Sequence, residues 1–157
     1  FRDKRKAFEA KPMQFSADTP SVAGGAAQET RFVEVVFPEL ANHYGTLFGG
    51  NALNLMGKAA FVAATRHARR NVVMATSDKI EFHEPIPVGE LVELIAQVER
   101  AGRSSMTVSV EIIRENLLTG TRKPVVRGSF EMVAVDDKGH PTPIDSQPSR
   151  PATHHLT

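Results

Sequence analysis

The sequence predicts an α+β domain: a curved antiparallel sheet of about five strands wrapped around one long central helix. Three observations carry this expectation. Residues 49–69 form one long, almost wholly apolar stretch, with Ala52, Leu53, Leu55, Met56, Ala59, Ala60, Val62, Ala63 and Ala64. These cover most of a helix circumference, so the helix is expected to be buried on nearly all sides. About five β-rich runs flank it, and in the run over 104–115 the residues Met106, Val108, Val110 and Ile112 alternate with Thr107, Ser109 and Glu111. Finally, 157 residues with 41% hydrophobic and 24% charged content are ordinary for one globular domain.

The elements follow in order. Residues 31–37 are β-rich and stop at Pro38. The helix over 49–69 ends with Arg66, His67, Arg69 and Arg70, cations that suit the negative end of the helix dipole. A strand begins at 71–76 and continues through Ile80 and Phe82, before the breaker-rich turn His83-Glu84-Pro85-Ile86-Pro87-Val88-Gly89. Strands over 90–101 and 104–115 are joined by a hairpin at Gly102-Arg103, and residues 117–123 turn around Gly120. A last strand over 125–135 ends at Asp136-Asp137-Lys138-Gly139, a hairpin-type turn. A single curved sheet leaves long edges unpaired, and edges invite pairing with a copy, so at least a dimer is expected.

Composition narrows the classes of function. A formal net charge of +1 supplies no bulk field for nucleic acid or an anionic membrane. Cys is absent, which excludes disulfides and thiolate chemistry and fits a reducing cytoplasm. No apolar run approaches the roughly 20 residues of a membrane span. The start Arg2-Asp3-Lys4-Arg5-Lys6 has no apolar run after it and does not read as a secretory signal. Residues 1–29, charged and then small and Pro/Gly/Ala-rich, are expected to be a flexible segment preceding a domain over 30–145. Residues 146–157, with His154 and His155, are expected to form a solvated tail rather than a metal site. No P-loop, dinucleotide fingerprint, H-E-x-x-H or other metal set is visible in the sequence.

The most informative stretch is Asn42-His43-Tyr44-Gly45-Thr46-Leu47-Phe48-Gly49-Gly50, which opens directly into the apolar helix. A helix start leaves four backbone N–H groups without intrahelical partners, and the dipole adds positive charge there. An oxyanion, a thioester carbonyl or a phosphate is the natural guest. Gly49 and Gly50 lack Cβ, so a ligand can approach the main chain closely.

This stretch resembles the N-x-x-G-x-x-F-G-G signature of the hotdog-fold acyl-CoA thioesterases. Three further elements follow in family order. Ile80 to Glu90 resembles F-x-x-P-I-x-x-G-D/E, Gly102-Arg103-Ser104-Ser105-Met106 resembles G-R-T/S-S-M, and Phe130 to Asp136 resembles F-x-x-V-A-V-D. Together they cover about residues 31–144 and are similar to single-domain bacterial and cytosolic long-chain acyl-CoA hydrolases. The resemblance implies hydrolysis of acyl-CoA to fatty acid and CoA, no cofactor beyond the CoA of the substrate, and a homo-oligomer, dimer or trimer of dimers, with sites between subunits.

The resemblance also implies roles for residues. Gly49 and Gly50 amides would polarise the thioester carbonyl, and Asn42 would orient thioester or water. Arg103, Ser104 and Ser105, alone a solvated turn, would contact the pantetheine or phosphates of CoA; Arg66, Arg69 and Arg70 read from the residues as a solvated helix end, though an Arg is useful near a nucleotide phosphate. Phe48, Leu53, Val108 and Val110 would line an acyl tunnel. The family carries an acid after the methionine of G-G-x-x-x-x-M-D, but here Met56 is followed by Gly57 and Lys58. Glycine cannot accept a proton, and inside a helix it costs roughly 1 kcal/mol against alanine. Gly57 therefore marks either a lost acid, introduced or natural, or a close approach to a neighbouring strand. Glu39, His43 and Asp78 are the replacement bases considered, while Asn42, His43 and His83 have turn roles as their plainer reading. A non-catalytic acyl-CoA-binding module is the alternative function. A dehydratase lacks the helix-borne His or acid it would need.

Overall fold

The computed structural model describes residues 29–144. Strand β1 (Thr30–Val35) leads through a 3-10 turn (Pro38–Leu40) and the glycine loop into helix α1 (Gly49–Ala68). Strands β2 (Asn71–Phe82), β3 (Leu91–Ala101), β4 (Ser105–Glu115) and β5 (Arg122–Val135) complete the chain. The five strands form one antiparallel sheet in the order β1-β3-β4-β5-β2, so β1 and β2 are its edges. Of the tails expected over 1–29 and 146–157, all but Glu29 lie outside the described residues, including His154 and His155.

The core is the seam between α1 and the concave face of the sheet. Met106, Val108, Val110 and Ile112, the predicted inward set of β4, are fully buried, together with Val92, Leu94, Phe130 and Met132 from the neighbouring strands. From the helix come Ala52, Met56, Ala59, Ala60, Ala63, Ala64 and Ala68. Small alanines let the sheet approach the helix closely, and long side chains of the strands fill the remaining space. The helix is not buried all round, as its composition predicts. One face packs on the sheet, and Leu53, Asn54, Lys58 and Phe61 on the other face are exposed. One five-stranded sheet has a single concave face, so it covers only the helical stripe turned toward it.

Two boundaries also differ. Pro38 opens a 3-10 turn instead of only ending a strand, because its fixed φ suits the first helical position. β5 begins at Arg122, inside the predicted turn, and runs through Pro124. Pairing with β4 shifts there, from Ile112↔Val126 to Ile113↔Pro124. Beyond Val126 one further bond, from His83 N–H to the Val125 carbonyl, ties that flank, and the shift against β4 is a bulge of the kind at which a strand tolerates proline.

Candidate active site at the start of the central helix

Two stretches far apart in sequence are sewn together at the start of α1. Leu47 N–H donates to the Ile86 carbonyl at 2.7 Å, and Val88 N–H donates to the Gly45 carbonyl at 2.9 Å. Phe48 N–H reaches the Leu40 carbonyl at 2.9 Å, and Asn51 Nδ2 donates to the same carbonyl at 3.0 Å. The glycine loop and the Pro85 turn thus face each other across a half-open cavity of about 240 Å³. Its lining includes Thr46, Gly49, Ala52, Phe82, Pro85 and Val126.

The electrostatics of this cavity come from the backbone. Phe48 caps α1 without a side-chain hydrogen bond, and the first turn holds no acidic residue. The Gly49 and Gly50 N–H groups therefore have no partner within the helix. Only Gly49 borders the cavity. Gly50 sits under the Phe48 ring, where an added Cβ would lie 2.7 Å from Phe48 Cε1. A developing negative charge in the cavity would meet the positive end of α1 and the Gly49 amide.

Asn42 is a loop organiser. Its Oδ1 accepts the Tyr44 N–H at 3.0 Å, the Thr46 N–H at 3.2 Å and the Thr46 hydroxyl at 3.2 Å. Backbone donors can bond only the oxygen, so the orientation is settled and the Nδ2 hydrogens are the groups left to offer. Asn42 can then polarise a carbonyl or hold a water oxygen, but its occupied oxygen is poorly placed to accept a proton from water.

Asn42 is not on the lining of this cavity, and of the other predicted residues besides Gly49 only His83 is. Val108 and Val110 are core, while Phe48 and Leu53 are exposed, and none of the four borders it. Glu39, His43 and Asp78 are all exposed, and the His43 ring lies 3.9 Å from that of Tyr44. His83 belongs to the cavity wall, and its Nε2 lies 3.3 Å from Glu81 Oε2. Arg103, Ser104 and Ser105 lie at the far end of the sheet. Val126 faces Phe82 by the cavity, whereas Ala134, whose N–H bonds the Ser104 carbonyl, faces Val72. Eight strand residues separate the two ends, roughly 27 Å at about 3.3 Å each. Arg66, Arg69 and Arg70 border a separate cleft of about 630 Å³ at the C-terminal end of α1, with Asp136 and Asp137 opposite. Arg69 adopts φ 53°, a left-handed helix end.

Gly57 lies on α1 beside β2. A Cβ added there would sit 3.2 Å from the terminal methyl of Met74. The close approach to a neighbouring strand is thus present, and sequence reasoning missed Met74 as its partner. The register break that follows Met74 is not written in local composition.

The family model described as Thioesterase superfamily matches residues 44–121. A crystal structure of an apo-hexameric acyl-CoA thioesterase is 39% identical, with a TM-score of 0.72 over 74% of this chain and 74% of that one. The chain belongs to the thioesterase superfamily. Its sheet and helix are those of the hotdog fold. An acyl-CoA thioester hydrolase of Bacillus subtilis, described as uncharacterized, is 38% identical over 69% of this chain; the match spans 63% of that relative's length. The acyl-CoA hydrolase of Staphylococcus aureus, solved with butyryl coenzyme A and coenzyme A, is 32% identical over 74% of this chain and 71% of that one, with a TM-score of 0.71. That superfamily member has also been solved with an asparagine, an aspartate or a threonine changed to alanine. Its aspartate stands 15 residues after the asparagine, and its threonine 17 after the aspartate. No group of three or more potential metal ligands occurs among the described residues, and no described helix is long and apolar enough to cross a membrane.

Proposed function

We infer that this chain is an acyl-CoA thioester hydrolase that cleaves acyl-CoA to fatty acid and CoA. The observation that carries the reading is the cavity at the start of α1, with the Gly49 amide on its wall, in a chain of the thioesterase superfamily. The thioester carbonyl lies against that amide, where charge developing on oxygen is stabilised. Asn42 does not border the cavity of its own chain, so its Nδ2 group serves as a second donor from a neighbouring subunit. Gly50 lies beneath the Phe48 ring and does not border the cavity.

A cavity of about 240 Å³ takes a thioester and a short acyl stub, not a whole acyl-CoA. The 103–105 turn lies too far away within one chain to hold the rest, so a second copy has to bring its own. The free β2 edge and the exposed Leu53, Phe61 and Val73 support such a homo-oligomer. A dimer or trimer of dimers fits this requirement, and CoA enters as substrate rather than as a resident cofactor.

A second reading is favoured by Gly57. Asn42, Gly57 and Met74 have the spacing, 15 and 17 residues, of the asparagine, aspartate and threonine changed in the Staphylococcus aureus protein. With glycine at the acid position, the chain would bind acyl-CoA and hydrolyse it slowly or not at all. Thiol release from a series of acyl-CoAs, measured beside equilibrium binding of CoA, separates the readings. Turnover above the uncatalysed rate supports the hydrolase. Tight CoA binding without turnover supports the binding module, and absence of both rejects the site.

A further inference from the structure

We propose that Gly57 and Met74 form a coupled pair: the Met74 methyl group occupies space beside Gly57 that a carboxylate at that position would need. The proposal rests on the reading of the chain as an acyl-CoA binder. Its central observation is the 3.2 Å separation between the Met74 terminal methyl and the place of a Cβ on Gly57. Met74 is 44% exposed and the contact is the far end of its flexible side chain, so a side chain at position 57 would make that methyl move aside.

The backbone of β2 prepares this contact. Met74 pairs with the buried Met132, but the register breaks immediately afterwards, between Met74 and Thr76, so Ala75 is an extra residue. Such a bulge re-aims the side chains around it. Methionine suits the task because its unbranched thioether adapts to irregular gaps.

The chemistry of the corner changes with the pair. At the same spacings the Staphylococcus aureus chain has an aspartate and a threonine, a base and a hydroxyl donor. Here the two positions hold no base and no strong donor, and they are neighbours across α1 and β2. In hydrolysis by a carboxylate base, the carboxylate takes one proton from water as the water oxygen bonds to the carbonyl carbon. The carbon–sulfur bond then breaks, and the proton passes to the departing sulfur, giving acid and thiol. A lone Gly57→Asp change supplies the base but leaves it beside a thioether that gives it no hydrogen bond. Opening the space and adding a hydroxyl requires Met74→Thr as well. The two changes should therefore act as a coupled unit.

The test uses the full chain with butyryl-CoA as substrate and calorimetric binding of CoA as the control. G57D/M74T should release thiol about 10²–10⁴ times faster than the parent chain and at least about tenfold faster than G57D alone. A double variant that binds CoA but stays within about threefold of G57D overturns the proposal. So does a parent chain that already matches the double variant. A parent chain that does not bind CoA overturns the acyl-CoA reading itself, which separates the two failures. Formate rescue of M74A gives a measurement independent of the double variant's folding. Formate should accelerate thiol release when Met74 is cut back and leave the parent chain unaffected; equal acceleration of both overturns the proposal.

Discussion

Arg114 is the residue whose removal should loosen the cavity wall most directly. Its Nη2 donates to Glu90 Oε1 at 3.2 Å, its Nε faces Glu90 Oε2 at 3.1 Å, and its Nη1 donates to the Pro85 carbonyl at 3.1 Å. Glu90 is 7% exposed, so Arg114→Ala strands a nearly buried carboxylate and frees the turn that faces Gly49. Breaking a fully buried pair costs about 3–5 kcal/mol. The Arg114 side chain is 28% exposed, and Glu84 stands 3.5 Å from it, so water and relaxation reduce that figure. A loss of about 2–4 kcal/mol is expected, on the order of 6–12 °C in melting temperature for a domain of this size. Arg114→Lys keeps the charge without the planar fork and should cost roughly half as much. Glu90→Gln in the Arg114→Ala background should recover about 1 kcal/mol or more, because it removes the stranded charge. Urea unfolding followed by circular dichroism measures all four chains. A cost below about 0.5 kcal/mol for Arg114→Ala, or no recovery in the double variant, would refute the reasoning. KM for acyl-CoA should rise in Arg114→Ala as the Pro85 turn slackens.

Other perturbations address single contacts. Burial disfavours ionisation of Glu93, but hydrogen bonds from Arg122 and Arg31 outweigh it and hold its carboxyl below the usual value near 4.5. Its stabilising share is therefore complete above about pH 4.5 and lost as pH falls through the lowered folded value. Urea midpoints between pH 7 and pH 3 should decline less steeply in Glu93→Gln than in the parent chain. Asn42→Asp retains the oxygen that accepts from Tyr44 and Thr46 but loses the Nδ2 donors, so thiol release should drop about tenfold or more while the melting temperature holds. Asn42→Ala removes both and should also cost about 1–3 kcal/mol, read by the same melts. Gly57→Ala should stabilise by up to about 1 kcal/mol through helix propensity, minus the shift that Met74 must make. Calorimetry showing a lower melting temperature would mean that Met74 cannot yield.

Much of the fold was legible because its signals are local. The alternation of Met106, Val108, Val110 and Ile112 needs only a period of two, and all four prove buried. The start of α1 at Gly49 follows from a glycine loop feeding an apolar run. The extent of helix burial was overestimated, because composition records how apolar a face is and not whether a surface exists to cover it. Leu53 and Phe61 are as apolar as the core side chains, yet one sheet has only one concave face to offer. β5 extends past Pro124 because the proline falls at a register shift against β4, where the ladder is already interrupted.

For the candidate site, sequence alone determined which groups are present: a polar loop of Asn42, Gly45, Gly49 and Gly50, a breaker-rich turn around Pro85, and a glycine at position 57 in the helix. These are properties of residue type and near-neighbour spacing. Tertiary structure decided which of them meet. It set Gly49 rather than Gly50 on the cavity wall, occupied the Asn42 oxygen within its own loop, and carried Arg103 to the opposite end of the sheet. It also placed Met74 against Gly57 through a bulge in β2. Distances across a sheet depend on strand order and register, which are set by the packing of the whole chain and not by the few residues that later share a site.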